Sequence, residues 1–157
     1  MQCPAGFYCE ELAEKPIKCE NGTTSAEGAS ACTPCPAGME CEFGKLSRSC
    51  EPGTFSLEGQ ANCTSCPAGM MCALPDQAPI SCEIGTFSDI AAIKCTPCSP
   101  GFFCEDPSKN PVRCPEGSFS GSRASNCTKC PSGFECPNVE GFPIACRNGT
   151  YSLGGYI

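Results

Sequence analysis

A chain of 157 residues with 19 cysteines, 17 glycines, 16 prolines and no tryptophan or histidine has the composition of a disulfide scaffold. Its net charge of −7 leaves no basic patch for nucleic acid or an anionic membrane surface. No apolar run approaches the roughly 20 residues of a membrane span, and without histidine the usual nucleophile–base triads are excluded.

The cysteines recur. The steps from Cys3 to Cys35, Cys66, Cys98 and Cys130 are 32, 31, 32 and 32 residues, and each opens a segment of the form C-x5-C-x8/9-C-x12-C-x2. The expected domains are repeat 1 (3–34), repeat 2 (35–65), repeat 3 (66–97), repeat 4 (98–129) and a truncated repeat 5 (130–157). Cys146 then expects a partner just past the last residue, which explains the odd count. Met1-Gln2-Cys3-Pro4 lacks the basic start and apolar run of a secretory leader, so the chain reads as a piece of something longer.

In chain order, repeat 1 opens on Pro4-Ala5-Gly6-Phe7. Proline followed two residues on by glycine sets a tight turn, and Phe7 is the expected apolar plug. Pro16-Ile17 precedes the third cysteine, and Gly22-Thr23-Thr24-Ser25 follows it as a turn leading into a short strand. Repeat 2 carries Pro36-Ala37-Gly38-Met39 and Gly53-Thr54-Phe55-Ser56, but Leu46-Ser47-Arg48-Ser49 replaces the Pro-Ile step. Repeat 3 has Pro67-Ala68-Gly69-Met70, Pro79-Ile80 and Gly85-Thr86-Phe87-Ser88. Repeat 4 has Ser99-Pro100-Gly101-Phe102, Pro111-Val112 and Gly117-Ser118-Phe119-Ser120. Repeat 5 has Pro131-Ser132-Gly133-Phe134, Pro143-Ile144 and Gly149-Thr150-Tyr151-Ser152.

No segment sustains a 3.6-residue apolar period. The expected fold class is small and disulfide-rich, mainly short β-hairpins and turns, with repeats stacking on their neighbours into an elongated tandem-repeat rod. Phe55, Phe87, Phe119 and Tyr151 are read as exposed, packing either between repeats or against another chain.

Four cysteines per repeat allow three connectivities. Loop lengths favour closing the twelve-residue loop as a hairpin, giving Cys19–Cys32, Cys50–Cys63, Cys82–Cys95 and Cys114–Cys127. They favour closing the five-residue loop on its turn, giving Cys3–Cys9, Cys35–Cys41, Cys66–Cys72, Cys98–Cys104 and Cys130–Cys136. Interlocked pairing through the C-x2-C step is the rival.

That step also has zinc-ligand spacing, in Cys32/Cys35, Cys63/Cys66, Cys95/Cys98 and Cys127/Cys130. Zinc would leave two cysteines of every repeat idle, and a redox role would need a thiol activated at a helix N-terminus. Glu10-Glu11, Glu40, Glu42, Glu51 and Glu83 fall at variable loop positions, and Asp76, Asp89 and Asp106 lack the alternating spacing of a calcium loop. The expectation is no enzyme, no metal and no cofactor. Four N-x-[ST] motifs, at Asn21, Asn62, Asn126 and Asn148, are candidate N-glycan acceptors. Asn21 and Asn148 share one position of the repeat, and Asn62 and Asn126 another.

The string Cys3-Pro4-Ala5-Gly6-Phe7-Tyr8-Cys9, with Pro-x-x-Cys-x-x-Gly-Thr-Phe-Ser and Cys-Thr-x-Cys after it, resembles the ephrin-receptor-like cysteine-rich repeat. It is similar more distantly to modules of tumour necrosis factor receptors. The resemblance implies a disulfide-stapled rod in a large extracellular protein, as in surface proteins of protists and algae, including those that build mastigonemes, the hairs of flagella. Cross-links at this density persist in an oxidising compartment, so the expected location is extracellular or at the cell surface. The expected role is a structural component of a glycoprotein filament or coat, its partners copies of itself or related chains, and N-linked glycans. The alternative is a ligand-binding or adhesive receptor ectodomain.

Overall fold

The computed structural model describes residues 2–10 and 15–155, except for the side chain of Ser47. Glu11 of the acidic loop pair and the last two residues of repeat 5 lie outside them. The described residues contain no helix. They form short antiparallel hairpins and turns cross-linked by disulfides, which is the expected fold class.

The chain divides into two compact units, one of Met1–Cys66 and Cys72–Ile80, the other of Pro67–Met71 and Ser81–Ile157. In the first, β1 (Phe7–Tyr8) pairs with β2 (Ile17–Lys18), and β3 (Thr23–Thr24) with β4 (Thr33–Pro34). Then β5 (Met39–Glu42) pairs with β6 (Lys45–Ser49), and β7 (Thr54–Phe55) with β8 (Thr64–Ser65). Two further strands follow, β9 (Met70–Met71) and β10 (Ile80–Ser81). In the second unit β11 (Thr86–Phe87) pairs with β12 (Thr96–Pro97), and β13 (Phe102–Phe103) with β14 (Val112–Arg113). Likewise β15 (Ser118–Phe119) pairs with β16 (Thr128–Lys129), and β17 (Phe134–Glu135) with β18 (Ile144–Ala145).

Two hairpins therefore build a repeat. One joins the residues after the Pro-x-Gly turn to those before the third cysteine. The other joins the Thr-aromatic strand to the two residues of the C-x2-C step. The step is thus a strand as well as a linker, and its prolines at Pro34 and Pro97 are tolerated because a two-stranded sheet has only edges. The β5–β6 hairpin is longer than the rest. Repeat 2 lacks the proline that precedes the third cysteine elsewhere (Pro16, Pro79, Pro111, Pro143), so no ladder donor is removed. The register shifts between Glu40, paired with Arg48, and Cys41, paired with Leu46, so that β6 carries one residue more than β5.

Among the described residues the buried apolar ones are thirteen cysteines and Ala61. The expected plugs do not form this core: Phe7, Met39, Met70 and Phe102 are half-buried and Phe134 is exposed. A two-residue strand leaves no second layer to close over a large side chain. The reading of Phe55, Phe87 and Phe119 as exposed is also corrected. They are half-buried, standing opposite Thr64, Thr96 and Thr128 in their hairpins. Tyr151, which lies in no strand, is 82 % exposed.

A serine locks each repeat, buried in repeats 1 to 4 and half-buried in repeat 5. Ser25, Ser56, Ser88, Ser120 and Ser152 each donate a hydroxyl bond of 2.7–2.9 Å to the carbonyl of the plug residue, Phe7, Met39, Met70, Phe102 and Phe134 respectively. The carbonyl of each serine accepts the N–H of the Pro-x-Gly glycine, as in Gly38 N to Ser56 O at 2.9 Å. That glycine's own carbonyl accepts the N–H of the third cysteine, as in Cys50 N to Gly38 O at 2.8 Å. Turn, strand and staple are thereby tied in one network, and no buried side-chain nitrogen or oxygen among the described residues lacks a partner.

Candidate functional site

The features that carry chemistry are the staples, the asparagines, and the contact each repeat makes with the next. Pro-x-Gly turns bring the first and second cysteines together, and Cys3–Cys9, Cys35–Cys41, Cys66–Cys72, Cys98–Cys104 and Cys130–Cys136 are disulfides with Cα–Cα distances of 5.8–6.1 Å. The second hairpin brings the third and fourth together in Cys19–Cys32, Cys50–Cys63, Cys82–Cys95 and Cys114–Cys127, at 5.6–5.8 Å. The two cysteines of every C-x2-C step therefore belong to different disulfides. Cys146 is half-buried and has no disulfide partner among the described residues.

Asn21, Asn62, Asn126 and Asn148 are all exposed. Asn21 lies inside a turn in which Thr23 donates both its N–H and, at 2.8 Å, its hydroxyl to the Glu20 carbonyl. Thr150 makes the same pair of bonds to Arg147 across Asn148. Asn62 and Asn126 stand instead beside a staple cysteine and just before a strand, β8 or β16. Asn21 of repeat 1 and Asn62 of repeat 2 line one concavity of about 290 Å³, together with Phe43. The Lys18 ammonium sits 5.7 Å from the centre of the Phe43 ring, within cation–π range.

The acidic residues do not converge: among the described residues no three His, Cys, Asp or Glu side chains are grouped to hold a metal ion. Glu10, Glu42, Glu51, Glu83, Asp76 and Asp89 are exposed. Glu40 is bound to Arg48 at 2.6 Å across β5 and β6. That hydrogen bond, reinforced by the Cys63 N–H, holds its carboxyl below the usual range. Asp106 accepts the hydroxyl and the N–H of Ser108, at 2.7 and 3.0 Å, and pairs with Lys109 at 3.0 Å. These bonds pull its carboxyl from 3.8 down to about 2.

Within each unit, successive repeats meet the same way. The N–H of the locking serine donates to a carbonyl in the next repeat's loop between its second and third cysteines. The pairs are Ser25 to Gly44, Ser56 to Pro75, Ser88 to Pro107 and Ser120 to Val139, at 3.0–3.1 Å. The turn glycine after the third cysteine meets the tip of the next repeat's twelve-residue loop. A Cβ at Gly22 would collide with the Gly59 carbonyl, one at Gly85 with that of Arg123, and one at Gly117 with that of Gly155. In repeat 5 the matching position, Gly149, has open space around it.

Sequence reading missed the serine lock, although its signal was present: the serine recurs in all five repeats while its neighbours vary. It also missed the loop tip nine residues after each third cysteine, where Gly28, Gly59, Ala91, Arg123 and Gly155 all have positive φ. No family model matches the chain, and no curated protein matches it in sequence.

Proposed function

We propose that this chain is a structural segment of an extracellular glycoprotein filament or coat, built from repeats of the ephrin-receptor-like class. Nine disulfides are the chemistry of an oxidising compartment outside the cytosol. The observation that carries the structural role is the recurring contact between successive repeats. It joins two different faces, the serine and glycine side of one repeat to the loops of the next. A contact between unlike faces passes from one repeat to the next and, where its rotation does not close a ring, can go on extending. Chains of this kind supply length and spacing, and sugar on the exposed asparagines keeps the assembly soluble.

Electron microscopy of the native material and sedimentation of the oxidised chain test the proposal. Filaments with a regular repeat, or concentration-dependent oligomers, are the expected result. Dispersed monomers that bind a soluble ligand would overturn it in favour of a receptor ectodomain.

A further inference from the structure

The four candidate acceptors differ in where their neighbouring staple finds its second half. Asn62 is followed by Cys63, whose partner Cys50 lies 13 residues upstream. Asn126 is followed by Cys127, whose partner Cys114 also lies 13 residues upstream. In both cases the partner has already been synthesised when the acceptor emerges. Asn21 instead follows Cys19, whose partner Cys32 comes later in the chain. Asn148 follows Cys146, which has no disulfide partner among the described residues.

Glycan transfer needs the acceptor tripeptide free to extend into the transferase. The folded repeat denies this at all four places. At Asn21 and Asn148 the threonine hydroxyl is committed to the carbonyl three residues back. At Asn62 and Asn126 the middle residue is a staple cysteine and the third is paired in a hairpin, Thr64 with Phe55 and Thr128 with Phe119. Modification must therefore precede closure, and the order of closure sets the outcome.

We propose that the acceptors form two classes. Asn21 and Asn148 carry glycan at high occupancy. Asn62 and Asn126 are redox-limited sites, filled only in chains where sugar transfer outruns the closing of Cys50–Cys63 or Cys114–Cys127. Two reactions compete. In one, the asparagine Nδ2 bonds to the anomeric carbon of a polyprenyl-diphosphate-linked oligosaccharide. The bond from that carbon to the diphosphate breaks, the diphosphate leaves with the electron pair, and Nδ2 gives up a proton. In the other, two thiols lose two electrons and two protons to a protein disulfide carrier, which becomes a dithiol. Synthesis proceeds at roughly 5–20 residues per second, so Cys32 follows Asn21 after about 0.5–2 s. Asn62 has no such interval.

The inference rests on the glycoprotein reading above. It is tested by expressing the chain in a eukaryotic secretory cell and measuring occupancy of each site by mass spectrometry on the total cellular pool after a short pulse. Reading the total pool means that a variant need not fold to be scored. Asn21 and Asn148 are expected near full occupancy, with Asn62 and Asn126 below them. Dithiothreitol during the pulse should raise Asn62 and Asn126 to the level of the other two. Cys50→Ser should raise Asn62 alone, and Cys114→Ser should raise Asn126 alone. Equal occupancy at all four sites, unmoved by reductant and by both variants, would overturn the two classes and leave the glycoprotein reading standing. No glycan at any site would overturn both.

Discussion

At the tip of each twelve-residue loop the backbone turns left-handed, and at Gly28, Gly59, Arg123 and Gly155 the residue there donates its N–H to the first cysteine's carbonyl, as in Gly59 N to Cys35 O at 2.9 Å. Glycine fills the place at Gly28, Gly59 and Gly155, but repeat 3 has Ala91 at φ 62° and repeat 4 has Arg123 at φ 60°. A residue with a Cβ loses about 1–2 kcal/mol there, while glycine loses about 0.4–1 kcal/mol through the freedom of the unfolded chain. Ala91→Gly should therefore stabilise by about 0.5–1 kcal/mol in calorimetric melting with the disulfides intact. Gly59→Ala should destabilise by a similar amount. A Cβ at Gly59 meets nothing within 4 Å, so that cost isolates the backbone.

Asp106 gives a second residue-scale expectation. Its carboxylate is held by the Ser108 hydroxyl and N–H and by Lys109, and titrates at about 2 instead of 3.8. Because the folded value is depressed, the contribution is present above 3.8 and disappears as pH falls through about 2. An NMR titration should place the Asp106 midpoint near 2, with the Ser108 amide shifting in step, and Ser108→Ala should move the midpoint up. A midpoint near 3.8 would show that these bonds are not populated in solution.

At the scale of the element, the hairpins owe their register to the serine more than to their two-residue ladders. Ser56 is fully buried, and its hydroxyl satisfies the Met39 carbonyl at 2.9 Å. Ser56→Ala strands that carbonyl, and an unsatisfied buried acceptor costs about 1–3 kcal/mol. Ser152 makes the same bond to Phe134, but both residues are more open to water, which can replace the hydroxyl. Ser56→Ala should thus lower the melting temperature clearly more than Ser152→Ala, and amide exchange should speed up around Met39 in the first variant. Equal effects would mean the lock acts only through local turn preference.

The same hairpins show what the sequence could and could not display. Short strands and turns without helix were legible, because Pro-x-Gly turns and Gly-Thr-Phe-Ser strands recur where no helical period can start. The partner of each Thr-aromatic strand was not. Thr64-Ser65 and Thr96-Pro97 carry no strand pattern of their own between two cysteines, and only folding the twelve-residue loop back brings them opposite Thr54-Phe55 and Thr86-Phe87. Burial was misjudged for a related reason. Phenylalanine and methionine are the usual core residues, yet a hairpin two residues long can cover a disulfide or a serine and little more. The acceptor asparagines were legible as motifs, but the turn around Asn21 and the strand after Asn62 depend on which carbonyl each threonine faces.

For the molecule as a whole, the composition of the core decides how the fold can fail. With thirteen cysteines and Ala61 as the buried apolar residues among those described, the staples are the core as well as its cross-links. In the chain-entropy model a staple closing 13 residues contributes about 3 kcal/mol and one closing 6 residues about 2 kcal/mol. Reduction removes those constraints together with the packing around the sulfurs, and no buried Leu, Ile, Val or Phe remains among the described residues to hold a collapsed state. Reduced and alkylated chain should show the narrow amide dispersion of an unfolded protein in buffer without denaturant, whereas heated oxidised chain should regain native dispersion on cooling. Damage to one staple should stay local, since contacts inside a unit run from each repeat to its neighbours. The double variant Cys98→Ser/Cys104→Ser should speed amide exchange in repeat 4 and on the faces that meet it, around Gly85 and Val139, and leave Thr23–Thr24 and Thr33–Pro34 protected. Loss of protection at β3 and β4 as well would show that the repeats unfold as a single cooperative block.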